Sequence, residues 1–256
     1  MINLLAVSVG NTRTRVGSFV DDKLLEVSTF RNDRKEKIGA AIDAAYKPLH
    51  GKPDASILLS TVQPEQGEQI EKAIKQQLGQ DVLRVERDLP IPVGRQLDRE
   101  ALVGEDRLLN AAAAFDKHKQ ACVIVDAGTA MTIDLVDGGG TFHGGAITPG
   151  AQLMLDSLGQ RAAQLPEIEL RKPEEVVGHN TAEAMLSGVF YGMRGMVREI
   201  VEQIAVSINQ FPLVIATGGD AQVLFRDCDI VERVVPDLTL WGLAVTLRTA
   251  MEQAEG

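Results

Sequence analysis

The apolar positions of this chain follow two different spacings, the two-residue period of strands and the 3.6-residue period of helices. Short apolar runs bounded by turn residues predict strands at 2–9, 14–19, 55–60, 122–125, 131–136, 142–147 and 213–216. Longer amphipathic stretches predict helices at 34–48, 65–78, 105–117, 149–163, 181–206 and 238–250. Because strands and helices alternate along the chain, the pattern predicts an α/β fold.

Two stretches break this pattern. The segment RDLPIPVGRQLDRE, residues 87–100, contains two prolines and a glycine, which interrupt any regular spacing. Residues 164–180 are mostly polar. Both segments are predicted to be loops.

Residues 4–17 and 122–135 resemble each other, as LLAVSVGNTRTRVG and CVIVDAGTAMTIDL. Each is an apolar strand, a glycine turn with a threonine, and an alternating strand. Aligning Gly10 with Gly128 places Ser8 opposite Asp126 and Thr14 opposite Thr132. The pair indicates either two related halves that face a cleft or two ordinary glycine-turned hairpins, and alone it favours neither.

Charge and composition exclude some classes of function. The net charge is −10 and aromatic residues make up 4% of the chain, so binding to nucleic acid or to an anionic membrane surface is not expected. No apolar run approaches the ~18 residues of a membrane span. The two cysteines, Cys122 in an apolar run and Cys228, form no disulfide framework or zinc spacing, and the first residues do not resemble a signal peptide. We therefore expect a cytoplasmic protein.

The first glycine turn has the composition of an anion-binding turn. Gly10 lets a phosphate approach the backbone, because it carries no Cβ, and Asn11 and Thr12 add side-chain donors. Arg13 and Arg15 follow on an alternating strand and so share a face. Two cations could thus point toward phosphate oxygens.

Two further turns follow buried strands. Asp126 ends an apolar strand just before Gly128, and a charge in that position needs a partner such as a metal ion or a substrate hydroxyl. By itself, this position favours an ordinary turn or helix-cap aspartate. Gly218 and Gly219 lie between a strand and a helix, where a phosphate or a flat group fits. Three such turns in this order match the phosphate-1, phosphate-2 and adenosine turns of actin-like ATPases and sugar kinases.

Further motifs narrow the resemblance. In order, they are LVGEDRLLN, FHGGAITPG, VGHNTAEAM and VIATGGDAQ, at residues 102–110, 142–150, 177–185 and 214–222. Over essentially the whole length, the chain resembles the type III pantothenate kinases, also called the Bvg accessory factor family. The resemblance implies an α/β fold of two ribonuclease-H-like (actin-like ATPase) halves, residues 1–104 and 105–256. Each half would have a mixed five-stranded sheet flanked by helices, with a cleft between the halves.

The resemblance also implies an activity and its cofactors. The activity is ATP-dependent phosphorylation of pantothenate to 4′-phosphopantothenate, the first step of coenzyme A biosynthesis. The implied cofactors are Mg²⁺ with the ATP and a monovalent cation, K⁺ or NH₄⁺. The implied assembly is a homodimer.

Site residues carried over by position fall into four groups. Asp106 would be the general base on the substrate hydroxyl, and Asp126 would ligate the monovalent cation. Pantothenate would be bound by Leu97, Gly104, Glu105, Asp106, Arg107 and Thr181, the last from the partner subunit. ATP would be bound by Ser8, Val9, Gly10, Asn11, Thr12, Arg13, Thr14, Arg15, Thr129, Gly218 and Gly219.

Three positions depart from the family pattern. Ser8 stands where the family has an aspartate that reaches the magnesium, Leu97 stands near a common tyrosine, and Arg15 replaces a lysine. Two alternatives therefore stay open. One is a catalytically weak or inactive homologue with a nucleotide-binding or regulatory role. The other is a different small-molecule kinase, or a phosphatase of phosphate chains.

Overall fold

The computed structural model describes residues 1–34, 36–52, 54–161 and 165–255. The strands are β1 (Leu4–Val9), β2 (Arg13–Val20), β3 (Lys23–Arg31), β4 (Ser56–Thr61), β5 (Leu83–Arg84), β6 (Gly94–Arg95), β7 (Cys122–Ala127), β8 (Ala130–Val136), β9 (Thr141–Pro149), β10 (Leu213–Thr217) and β11 (Arg233–Val234). The helices are α1 (Glu36–Tyr46), α2 (Pro64–Leu78), α3 (Glu105–His118), α4 (Ala151–Arg161), α5 (Thr181–Ser207), α6 (Ala221–Phe225) and α7 (Leu238–Glu255).

The chain forms two compact units. Unit 1 consists of Met1–Val93, Arg99–Asp116 and Leu238–Gly256. Unit 2 consists of Gly94–Asp98 and Lys117–Asp237. This division differs from the expected halves 1–104 and 105–256, because most of α3 and the whole of α7 join unit 1.

Unit 1 is built on a five-stranded sheet in the order β3-β2-β1-β4-β5. β1, β2 and β3 are antiparallel neighbours, while β4 runs parallel to β1 and β5 parallel to β4. All six residues of β1 are buried, as expected for a central strand with both faces covered. One face packs against α1 and α2 through a core that includes Val7, Ile42 and Ile70. On the other face, Phe19 of β2 meets Trp241 of α7 edge to face, with ring centroids 4.9 Å apart.

Unit 2 repeats that strand order. Its sheet runs β11-β10-β7-β8-β9-β6, in which β7, β8 and β9 are antiparallel neighbours and β10 and β11 run parallel to β7. One face of β7 and β8 packs against α5, whose buried residues include Leu186, Phe190 and Met193. Since β1–β5 and β7–β11 have the same order and directions, the similarity between residues 4–17 and 122–135 belongs to a repeated sheet and not to two unrelated hairpins.

The fold class predicted from the sequence is confirmed, with corrections to individual elements. The second sheet has six strands, because residues 94–95, predicted as loop, pair with β9 as β6. β3, β5 and β11 were not predicted. Pro149 ends β9 instead of opening a helix, so α4 begins at Ala151. The predicted end of that helix and the start of the polar loop fall on residues 162–164, which lie outside the described residues.

None of the helices among the described residues has the length and apolar character needed to cross a bilayer.

Candidate active site

The first glycine turn joins β1 to β2 in unit 1 and is closed by a hydrogen bond from the Gly10 N–H to the Arg13 carbonyl, at 3.0 Å. Asn32, just after β3, contacts the turn from one side. Its Nδ2 donates to the carbonyls of Gly10 and Asn11, at 2.9 and 3.2 Å, and its backbone N–H donates to the Thr12 carbonyl at 2.9 Å. These contacts hold three successive carbonyls of the turn.

Two more side chains complete this framework. The hydroxyl of Thr14, fully buried on β2, donates to Asn32 Oδ1 at 2.9 Å. Gln63, at the start of α2, donates through Nε2 to the carbonyl and the Oδ1 atom of Asn11, at 2.6 and 3.0 Å. Sequence reasoning missed both Asn32 and Gln63, since neither lies in a glycine motif.

Ser8 lies on β1, two residues before Gly10, and is buried. Its cross-strand neighbours are Arg15 on β2 and Ser60 on β4, and Ser60 is also buried. Directly paired residues share a face of the sheet, so two hydroxyls and one guanidinium stand side by side at the carboxyl end of β1. Arg13 and Arg15 share a face, as predicted.

The start of α3 holds Asp106 in a defined position. A Cβ built on Gly104 would lie 2.5 Å from Asp106 Oδ1, so the carboxylate occupies the space that a side chain at residue 104 would need. The same oxygen accepts the Arg107 backbone N–H at 2.8 Å. Residue 104 is therefore best occupied by glycine, because any side chain there would collide with the Asp106 carboxylate.

Glu105 ties this helix start to β4. Its Oε2 accepts the backbone N–H of Thr61, the last residue of β4, at 2.7 Å. Burial raises the pKa of Glu105 above its ordinary value, and the hydrogen bond from Thr61 opposes that shift only in part. Val62 follows Thr61 and donates its N–H to the Val9 carbonyl at 3.0 Å, while its Cγ1 would be 3.6 Å from a Cβ on Gly104. The end of β4 thus lies between the first turn and the start of α3.

In unit 2, the second and third glycine turns are packed on each other. The Asp220 N–H donates to the Ala127 carbonyl at 3.0 Å. A Cβ on Gly218 would lie 2.4 Å from that carbonyl oxygen and 2.5 Å from Asp126 Oδ1. Gly218 also has φ +96°, in the left-handed region that favours glycine. The Asp126 carboxylate is therefore held at the junction of the two turns.

The start of α4 packs against the same junction of the two turns. The Gly150 N–H donates to the Thr129 carbonyl at 2.9 Å, and a Cβ on Gly150 would lie 1.9 Å from the Gly128 carbonyl oxygen. Any side chain at residue 150 would push these two segments apart. Thr129 itself is exposed at the tip of the turn.

Thr132 gives the second turn an oxygen that fits a cation. It is the cross-strand partner of Asp126, so the two side chains lie on one face of the β7–β8 pair. Within the described part of the chain, the buried Thr132 Oγ1 makes no hydrogen bond. Carboxylate and hydroxyl oxygens are hard donors, the type that hard cations prefer. No group of three or more His, Cys, Asp or Glu side chains among the described residues could hold a metal ion by itself.

The strand pairing corrects one part of the glycine alignment. In the first hairpin, Ser8 pairs with Arg15, and in the second, Asp126 pairs with Thr132. The first turn is therefore one residue longer, and Arg15, not Thr14, is the counterpart of Thr132. The equivalence of Ser8 and Asp126 is unaffected, because both precede their glycine by two residues on the first strand.

Comparison with known proteins decides the family. The model of the type III pantothenate kinase family matches residues 4–203. The chain belongs to the type III pantothenate kinase family. The type III pantothenate kinase of Dehalococcoides mccartyi is 34% identical over 248 residues, which cover 94% of this chain and 96% of that protein.

Several solved structures match this kinase in fold. Component A of (R)-2-hydroxyglutaryl-CoA dehydratase from Acidaminococcus fermentans matches with a TM-score of 0.58 at 14% identity and covers 100% of both chains. The ethanolamine utilization protein EutJ from Carboxydothermus hydrogenoformans matches with a TM-score of 0.57 at 14% identity, over 96% of this chain and 90% of that one. At such identity these likenesses bear on the fold alone.

The predicted site residues of this kinase fall into two sets. Unit 1 holds the first turn, residues 8–15, and the start of α3, residues 104–107. Unit 2 holds Asp126, Thr129, Gly218, Leu97 and Thr181. Asp126, Thr129 and Gly218 lie together at the packed turns.

Leu97 follows β6 by two residues, and Thr181 is the first residue of α5. The Cδ2 atom of Leu97 would be 3.3 Å from a Cβ on Gly144, which has φ +80°, so Leu97 packs over the β9 backbone. Thr181 is exposed in the first turn of α5, directly after its N-cap Asn180, whose side chain accepts the Glu183 N–H at 2.9 Å. Their contact with substrate remains a prediction.

Proposed function

We propose that this chain transfers the γ-phosphoryl group of ATP to the primary hydroxyl of pantothenate, forming 4′-phosphopantothenate. Membership in the type III pantothenate kinase family supports the reaction. The observation that carries the proposal is the position of the Asp106 carboxylate beside Gly104, close to the first turn. Val62 lies between them: its N–H donates to the Val9 carbonyl, and its Cγ1 would be 3.6 Å from a Cβ on Gly104. A carboxylate that orients a hydroxyl and a turn that receives phosphates are the two parts that phosphoryl transfer needs first.

Each part of the site would have its own role in this reaction. Asp106 accepts the proton of the pantothenate hydroxyl as that oxygen attacks the γ-phosphorus, and Arg107 and Glu105 line the same helix start. The N–H groups of the first turn, with Arg13 and Arg15, hold phosphate oxygens and stabilise the charge of the transferred group. Thr129 contacts the phosphates from the second turn. Gly218 and Gly219 leave room for the nucleoside of ATP.

Metal ions supply charge neutralisation in this proposal. Mg²⁺ would be bound together with ATP, and Ser8 and Ser60 offer hydroxyls toward its water ligands. The Asp126 carboxylate and the Thr132 hydroxyl would hold K⁺ or NH₄⁺ beside the second turn.

We also propose a homodimer formed through α5. Cβ atoms built on Gly188, Gly192 and Gly195 would meet nothing within 4 Å, so one side of this 27-residue helix is open and lined by small residues. The nearby Val176 and Val177 are 63% and 69% exposed. Small residues permit close approach of a second helix, and two exposed valines add apolar surface to that seam.

The use of ATP places the proposed reaction in the cytoplasm.

Purified protein with ATP, Mg²⁺ and K⁺, with and without pantothenate, tests the reaction by the appearance of phosphopantothenate. We expect Asp106→Asn to lower kcat roughly 100-fold or more, the usual scale for a general base, with little change in pantothenate KM. Glu65→Gln is the matched control, because Glu65 is another carboxylate in the first turn of a helix of unit 1. Equal kcat values for Asp106→Asn and the wild type would reduce Asp106 to a helix-start carboxylate.

Ser8 favours a second candidate, a homologue that binds nucleotide with weak or no turnover. In the repeated hairpin the equivalent residue is Asp126, so the first turn lacks a carboxylate that the second one has. Tight ATP binding with no phosphopantothenate formed under any cation condition would support this candidate over the active kinase.

A further inference from the structure

Asn32 controls the direction in which the peptide groups of the first turn point. Its side-chain amide donates to two successive carbonyls, those of Gly10 and Asn11. The peptide bonds of the described residues are trans, and in a trans peptide the N–H points opposite to the C=O. Fixing those two carbonyls on Asn32 therefore directs the N–H groups of Asn11 and Thr12 the other way.

The orientation of Asn32 is itself fixed. Its Oδ1 accepts from the buried Thr14 hydroxyl at 2.9 Å, so Nδ2 must face the turn. Its backbone N–H is held by the Thr12 carbonyl at 2.9 Å. With both ends of the amide engaged, the side chain cannot rotate without breaking hydrogen bonds at a half-buried position.

Gln63 supports the same turn from α2. Its Nε2 donates to the Asn11 carbonyl at 2.6 Å, so that oxygen accepts from two amides on two different elements. The same Nε2 also contacts Asn11 Oδ1, which fixes the Asn11 side chain. The turn is thereby held by hydrogen bonds from two side chains of the protein itself.

We infer that Asn32 is a positioning residue for nucleotide binding, assisted by Gln63: it presets the N–H groups of Asn11 and Thr12 toward the phosphates of ATP. The inference rests on the proposed function, in which this turn receives ATP. A preset donor pair loses no orientational freedom on binding, so removing Asn32 weakens binding of phosphate-bearing ligands specifically.

Calorimetric titration of ATP into the full chain tests this inference. We expect the Kd for ATP to rise about 10-fold in Asn32→Ala, a factor that corresponds to about 1.4 kcal/mol. Asn32→Asp keeps the size and the acceptor for Thr14 but loses the donor, so it should bind ATP no better than Asn32→Ala. Gln63→Ala should give a smaller rise, about 3-fold, because one of two donors to Asn11 remains.

Gln77→Ala is the matched control. Gln77 also donates a side-chain amide to a backbone carbonyl of unit 1, that of Gly39 at 3.1 Å, but does so away from the turn. It should leave ATP binding unchanged, and in all four variants the pantothenate KM should stay within about 2-fold of wild type, unlike ATP binding.

Wild-type ATP affinity in both Asn32 variants would overturn the inference. So would an equal loss for ATP and pantothenate, which would mean general damage to the fold. If Asn32→Ala does not fold, Gln63→Ala decides, and its unchanged ATP affinity would overturn the inference. A wild type that binds ATP without phosphorylating pantothenate refutes the proposed function while the ATP titrations still decide the role of Asn32. A wild type that binds no ATP refutes both.

Discussion

The substitution Gly104→Ala should displace the Asp106 carboxylate while leaving the rest of the site in place. The added methyl would start 2.5 Å from Asp106 Oδ1, against an ordinary contact distance of about 3.5 Å, so the oxygen must move by about 1 Å. The atom that moves is the end of a rotatable side chain, so the fold can accommodate it. Alanine in place of glycine at a helix start should cost about 1 kcal/mol or less, roughly 2–4 °C in Tm.

The effect on turnover should be far larger than the effect on stability. A displacement of ~1 Å in a reacting group costs on the order of 100-fold in rate, or about 2.7 kcal/mol in activation free energy. We expect kcat to fall by about that factor, measured by coupled detection of ADP. Gly138→Ala is the control, since its methyl would lie 3.9 Å from the nearest atom, the Ala121 nitrogen, in a turn of unit 2.

A double variant separates this mechanism from others. If Gly104→Ala acts by moving Asp106, then adding it to Asp106→Asn should slow the enzyme no further, because both changes disable one carboxylate. A double variant that is slower by the product of the two single effects would refute the reasoning and assign Gly104 a separate role. Unchanged kcat in Gly104→Ala alone would refute it as well.

Four further predictions test other parts of the site. Ser8→Asp should lower the KM for ATP about fivefold or more with pantothenate KM unchanged, and an unaltered or higher ATP KM would show that serine is compensated. Asp126→Asn should weaken activation by K⁺ more than it changes pantothenate KM, and equal wild-type activity in Na⁺ and K⁺ would remove the cation role. Gly192→Glu should shift the light-scattering mass from about twice 27.6 kDa to 27.6 kDa, whereas a fully active wild-type monomer would contradict the dimer. Burial raises the folded-state pKa of Glu105, so Glu105 stabilises the fold when protonated and loses that contribution as the pH rises through the folded-state pKa. Glu105→Gln should therefore flatten this part of the curve of unfolding free energy against pH. An unchanged curve would contradict this prediction.

Sequence reasoning succeeded where the signal is local. β1, β7 and β10 are short strands that are apolar except for Ser8, Asp126 and Thr217 near their ends, and glycine turns follow all three, so their positions and order could be predicted from residue pattern alone. It missed β3, whose nine residues are almost all partly or fully exposed and lack a clear alternation. It missed β6 because a two-residue strand in a loop with Pro and Gly is fixed by its neighbour β9 and not by its own residues.

The site shows the same limit. Gly104 and Asp106 are two residues apart, so their relation is visible in the sequence. Asn32 and Gln63 are 21 and 52 residues from Asn11, and neither follows a periodic pattern that would associate it with a phosphate turn. The one-residue difference in length between the two turns could not be predicted either. Aligning the glycines requires no insertion after them, and the extra residue follows only from the strand register.

The composition of unit 1 from three chain segments has a consequence for synthesis. α7 covers one face of β1 and β2, yet it is translated after the whole of unit 2. On the ribosome the apolar face that carries Phe19 stays without its Trp241 partner until residue 241 has emerged. Unit 2, nearly continuous in the chain, can complete its core first, which reverses the usual order in which the N-terminal unit folds earlier. We expect nascent chains that stop before α7 to depend on chaperones that bind exposed apolar strands.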